Sequence, residues 1–105
     1  MITVSRVFPI GIATGEGELR KCNFRLRCAT VRDSVEAVEE LGPDASTSRM
    51  RYAIMARRLE VEGIEAVTTD MVMDLCERDG MALEVAAEEL EGKLDAWSNA
   101  SSPTD

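Results

Sequence analysis

Two stretches near the start of the chain alternate between apolar and polar residues. A period of two commits them to strands, because successive side chains on a strand point to opposite faces. In residues 2–12, ITVSRVFPIGI, the larger apolar side chains fall on even positions: Ile2, Val4, Phe8, Ile10 and Ile12. In residues 19–28, LRKCNFRLRC, Cys22, Phe24, Leu26 and Cys28 share one face, while Lys21, Asn23, Arg25 and Arg27 form a mostly cationic opposite face. The segment ATGEGE between them carries Gly15 and Gly17, which suit a turn. A β-hairpin is the natural reading. Pro9 cannot donate a ladder hydrogen bond, so the first strand is expected to be an edge, bulged or interrupted there.

After residue 29 the period lengthens to that of helices. Thr30 is placed to cap a first helix, with Asp33 as an imperfect capping-box partner and Val31, Val35, Val38 and Leu41 as its inward face. Gly42-Pro43 ends it. Ser46, Thr47 or Ser48 then caps a second helix, RMRYAIMARRLEVE, closed by Gly63 and apolar over more than half its circumference. Thr68 or Thr69 caps a short third helix, DMVMDLCER, with Val72, Leu75 and Cys76 inward and Asp79-Gly80 as its interruption. The last helix, residues 81–97, carries Leu83, Ala87, Leu90, Leu94 and Trp97 on a heptad-type seam opposite Glu84, Glu88, Glu91 and Asp95. The seam is barely two heptads long, which favours packing on the chain's own core. The expected fold is α+β: an N-terminal β-hairpin followed by about four α-helices. Residues 1–97 form a single domain, and the polar 98–105, SNASSPTD, form a disordered C-terminal tail.

Composition narrows the function. Of the 105 residues 45% are hydrophobic but only 4% aromatic, so the core is built from Leu, Val, Ile, Met and Ala. The chain has no histidine, which removes Ser-His and Cys-His machinery. TGEGE lacks the lysine and the hydroxyl residue of a phosphate loop. Cys22, Cys28 and Cys76 form no close pair and read as small core hydrophobes in a reducing compartment, so neither a disulfide, a metal nor a cofactor is expected. There is no signal-peptide pattern at Met1 and no apolar run near the ~20 residues that span a bilayer. A soluble, cytoplasmic, non-enzymatic protein is the expectation.

Charge is unevenly placed. Residues 1–32 hold six basic and two acidic residues (+4), and residues 33–105 hold six basic and eighteen acidic (−12), which gives the net −8. The basic strand lacks aromatic stacking platforms, and the acidic remainder would repel phosphate, which argues against nucleic acid. A cationic row of Lys21, Arg25 and Arg27 facing a charged partner or a second copy is the better use. Met50 and Met55, among the five methionines in or beside helices, are the candidate adaptable apolar contacts.

The order of segments resembles a known family. A hairpin leads into ATVRDSVEAVEELG, followed by MRYAIMARRLEVEG, the TTDMVMDLCERDG step and ALEVAAEELEGKL, with Leu75, Asp79, Leu83, Ala87 and Leu90 in a recurring pattern. Over roughly residues 8–96 this is similar to the phage tail assembly chaperones, in particular the type of Mu-like and P2-like contractile-tailed phages. Cys76 and Gly80 are minor departures. The resemblance implies a viral protein of the host cell cytoplasm that acts in tail assembly and is not retained in the mature virion. It implies binding of the tape measure protein to keep it soluble and promote tail tube assembly. Further implied partners are the tail tube protein, a frameshifted longer form and self-association, with no membrane. An acidic phage-encoded inhibitor or adaptor that binds a host protein is the alternative.

Overall fold

The computed structural model describes residues 2–15, 17 and 19–101. The described residues form strands β1 (Thr3–Ile12) and β2 (Lys21–Arg27), helices α1 (Val31–Leu41) and α2 (Thr47–Arg58), strand β3 (Leu59–Val61), and helices α3 (Thr69–Met73) and α4 (Glu77–Ser101). The fold is α+β, an N-terminal antiparallel sheet with helices after it.

The hairpin is one strand short of the observed sheet, whose order is β1-β2-β3. Phe24 lies opposite Val61, Arg25 opposite Glu60 and Leu26 opposite Leu59. The second helix therefore stops at Arg58, and LEV leaves it as a strand. Leu59 and Val61 fit a helical stripe and an alternating strand equally well, and burial of both against β2 decides for the strand. Val4, Phe8, Phe24 and Leu26 face inward as the alternation predicts, and the Phe8 and Phe24 rings stack with centroids 4.2 Å apart.

β1 is an edge strand and is bulged at its proline. Val7 pairs with Asn23 and Ile12 with Lys21, so residues 8–11 of β1 face the single residue Cys22 of β2. Gly11 sits at φ +96°, and a Cβ there would lie 2.6 Å from Cys22 Sγ, so only glycine fits. The Ile10 and Gly11 N–H groups turn away from β2 and donate to the two carboxylate oxygens of Asp79 at 2.8 and 2.9 Å. Asp79 is fully buried. It lies in the first turn of α4, which runs unbroken through Asp79-Gly80. The break falls one turn earlier, at residues 74–76, because both Asp79 oxygens are committed to the bulge and hold the helix start against β1.

The core seam of α4 is Asp79, Leu83, Ala86 and Leu90. Ala87 and Leu94 are half-buried, and Trp97 is 62% exposed because the helix has run past the end of the sheet by then. The helix continues over residues 98–101, the first part of the stretch expected to be a disordered tail, and residues 102–105 lie outside the described ones.

The first helix is turned around relative to expectation. Its Thr30–Asp33 capping box forms, but Asp33 and Ala37 are the buried residues, while Val31, Val35 and Val38 are 82%, 50% and 50% exposed. Polar contacts set this rotation. Asp33 is clamped by Arg27, and Glu36 and Glu40 pair with Arg57 of α2 at 3.6 and 2.7 Å. Glu40 also accepts from the buried Thr69 hydroxyl of α3 at 3.2 Å. With that face docked, the valines have nowhere to point but outward.

Candidate partner-binding surface

The cationic row of β2 is largely spoken for inside the chain. Arg27 donates through Nη1 and Nη2 to the two carboxylate oxygens of Asp33, each at 2.7 Å, and also to the Arg57 and Cys28 carbonyls at 2.8 and 3.0 Å. This is a bidentate, charge-assisted contact with the carboxylate nearly buried. The Arg27 guanidinium, assisted by the Thr30 N–H, holds the Asp33 carboxyl at about 2, and Asp33 in turn raises the Arg27 value. Arg25 is exposed and paired with Glu60 of β3 (Nε–Oε2 2.9 Å). Lys21 lays its stem over Gly63, where a Cβ would come within 2.8 Å of its Cδ.

The two methionines fare differently. Met50 is half-buried on α2, but Met55 is 3% exposed and belongs to the core. The five expected contact residues are not gathered into one surface. Arg27 is a bracket between β2, α1 and α2, and Met55 is packing.

Uncovered apolar groups lie elsewhere. One set is the valine stripe of α1, a ridge rather than a cleft. The other is a groove of about 380 Å3 walled by α2, α3 and the start of α4, at the low end of the roughly 300–1,000 Å3 typical of ligand clefts. Tyr52, Met73, Leu75 and Met81 line it, with Met73 and Met81 42% and 68% exposed. Glu77 and Glu84 are its charged walls. Glu84, paired with Arg51 across the furrow, also borders a second concavity of about 300 Å3 between α2 and α4, where Glu88 and Glu91 continue the acidic wall. Sequence reasoning missed this site, because Met73 beside the buried Val72 carries no local mark of its exposure.

At the floor of that second concavity sits Arg58, 9% exposed, its Nε donating to the Arg27 carbonyl at 2.9 Å. Burial lowers its pKa from the usual arginine value, opposed by the nearby charge of Glu91. Glu40 is shifted below the usual carboxylate range by its hydrogen bond from Arg57, reinforced by the one from Thr69.

The concavity on the uncovered sheet face is wider, about 580 Å3, but its polar groups answer one another: Arg25 pairs with Glu60, and Asn23 donates to Glu62 at 3.3 Å. Among the described residues no group of three or more Cys, Asp or Glu side chains is arranged to hold a metal ion, and no helix is long and apolar enough to cross a membrane. The chain matches no protein-family model, no curated protein and no solved structure.

Proposed function

We propose that this protein is a non-enzymatic tail assembly chaperone of a bacteriophage. In this reading it acts in the host cytoplasm, binding the long helical tape measure protein and keeping it soluble until the tail tube polymerises around it. The observation that carries this reading is two uncovered apolar helix surfaces, Val31/Val35/Val38 and Met73/Met81, among the exposed hydrophobic groups of the described residues. Contiguous exposed apolar groups rimmed by polar ones mark interaction sites. Unbranched, polarisable methionine suits a partner that presents many different side chains in succession. The order of the sequence segments supports the same reading.

The test is co-expression with the tape measure protein, the long helical chain that this reading places downstream of the gene. A rise in that protein's soluble yield, with the two co-purifying, supports the chaperone reading. Equal solubility without this protein, and no complex on a sizing column, overturns it. A slippery heptamer before the stop codon and an overlapping frame would favour the chaperone over the inhibitor or adaptor.

A further inference from the structure

The two concavities adjoin at Glu84, whose ion pair with Arg51 lies between them, and together they make a furrow along α4 bounded by α2 and α3. Its α4 wall runs from Glu77 to Glu91, fourteen residues apart, or about 21 Å at the helical rise. Four acidic side chains stand along that wall, Glu77, Glu84, Glu88 and Glu91, facing two cations of α2, the Glu84-paired Arg51 and the largely buried Arg58. Only Glu84 has an ion-pair partner within 4 Å among the described residues. Its apolar end is the Tyr52, Met73 and Met81 groove. A second copy of this chain is a poor occupant, because its α1, α3 and α4 are acidic, and on its one basic helix, α2, Arg51 pairs with Glu84, Arg57 with Glu36 and Glu40, and Arg58 is buried against the Arg27 carbonyl.

We propose that this furrow seats a cationic amphipathic helix of about four turns. Its apolar stripe enters between Met73 and Met81, and its lysines or arginines meet the acidic wall of α4. This is recognition of an amphipathic helix in a groove, with apolar anchors at helical spacing and flanking charge setting the orientation. The recognised segment would belong to the helical partner proposed above, so the assignment rests on that reading for the partner's identity but not for its chemistry.

Cys76 lies in the groove and is exposed, which supplies a reporter already in the molecule. The probe is a synthetic peptide of about fourteen residues, with leucines at i, i+3, i+4 and i+7 and lysines on the opposite face, set against the same peptide with glutamates for lysines. The lysine peptide should bind and slow thiol labelling of Cys76, read by mass spectrometry, several-fold. Affinity should fall as salt is raised from about 0.05 to about 0.5 M, since the Debye length shortens from more than 10 Å to less than 5 Å. Met73→Ser with Met81→Ser should weaken binding about tenfold, and both side chains are exposed enough to spare the fold. Glu88→Gln with Glu91→Gln should flatten the salt dependence. No binding by the lysine peptide, equal binding by the glutamate peptide, or a bound peptide that leaves Cys76 open overturns the assignment. The methionine variant, co-expressed with the downstream protein, separates the two proposals. If it solubilises that protein as well as the parent does, the furrow is refuted while the chaperone survives. If the peptide binds but the parent solubilises nothing, the chaperone is refuted while the furrow survives.

Discussion

Arg25 and Arg27 stand two residues apart on the same face of β2, and nothing in their local sequence distinguishes them. Their surroundings do. Arg25 meets Glu60 in open solvent, where an ion pair contributes roughly 0–1 kcal/mol. Arg27 holds a nearly buried carboxylate and two backbone carbonyls. Removing it would leave Asp33 charged and unpartnered in the interior, which costs roughly 2–4 kcal/mol, somewhat less than for a fully buried pair. Arg27→Ser should therefore lower the denaturation midpoint sharply, whereas Arg25→Ser should barely move it. The pair also sets an acid limit. The folded Asp33 value of about 2 lies below the ordinary 3.8, so the group's contribution, ~2 kcal/mol, is complete above about pH 4 and is lost as the pH falls toward 2. Denaturant titrations of the parent and of Asp33→Asn should converge at the acid end of that window and separate above it.

At the scale of elements, the contact between α4 and the β1 bulge is the joint on which the fold turns. Asp79→Asn keeps the shape but offers one acceptor where two are needed and buries an unanswered amide, a loss of roughly 1–3 kcal/mol. Hydrogen exchange at Ile10 and Gly11 should accelerate in that variant more than elsewhere in β1. Glycines give the converse test. Gly92 sits within α4 with open space around it, so Gly92→Ala should stabilise by roughly 0.5–1 kcal/mol. Gly11→Ala should destabilise, by steric overlap with Cys22 and at a positive φ. These joints also show what was legible in the sequence and what was not. The β1 and β2 alternations, the Pro9 irregularity and the caps at Thr30, Ser46 and Thr68 are local, and each is found where its residues point. The rotation of α1, the strand at residues 59–61 and the continuity of α4 through Asp79-Gly80 depend on partners 6 to 69 residues away. Asp33 and Asp79 read as a cap and as a helix breaker because their decisive partners, Arg27 and the bulge amides, carry no local signature. The apolar furrow was hidden for the same reason. Met55 and Met73 look alike in sequence, and only packing buries one and leaves the other open.

Over the whole molecule, 59 Å along its longest axis, α4 is the element that both closes the core and overreaches it. Its last turns extend past the sheet, so Trp97, the sole tryptophan, stands in water at the far end of a helix that is structural at its start. Its fluorescence should resemble that of a solvated indole in the native state and change little on denaturation. A large blue shift on adding a partner would place that partner on the overhang as well. The free edge of β1 is protected at this scale too. Lys93 of α4 donates to the Thr3 carbonyl at 3.3 Å, Arg6 covers the Ser5 carbonyl at 2.7 Å while pairing with Glu89, and Pro9 has no N–H to offer. An edge blunted by side chains resists pairing with another strand, which suits the proposed role of holding helices rather than extending a sheet.

The closure of β1 by α4 has a consequence in time. Arg6 finds Glu89 eighty-three residues on, and Ile10 finds Asp79 sixty-nine residues on. On the ribosome, β1 and β2 are therefore finished long before the helix that shelters them has been translated. Until residues 77–93 emerge, the bulge amides have no acceptor and the Phe8–Phe24 stack has no cover from α4. A protein proposed to shield another chain from premature association thus passes through a stage at which its own first third lies open. A nascent chain arrested before residue 77 should be as protease-sensitive as an unfolded one, with protection arriving abruptly once α4 is free.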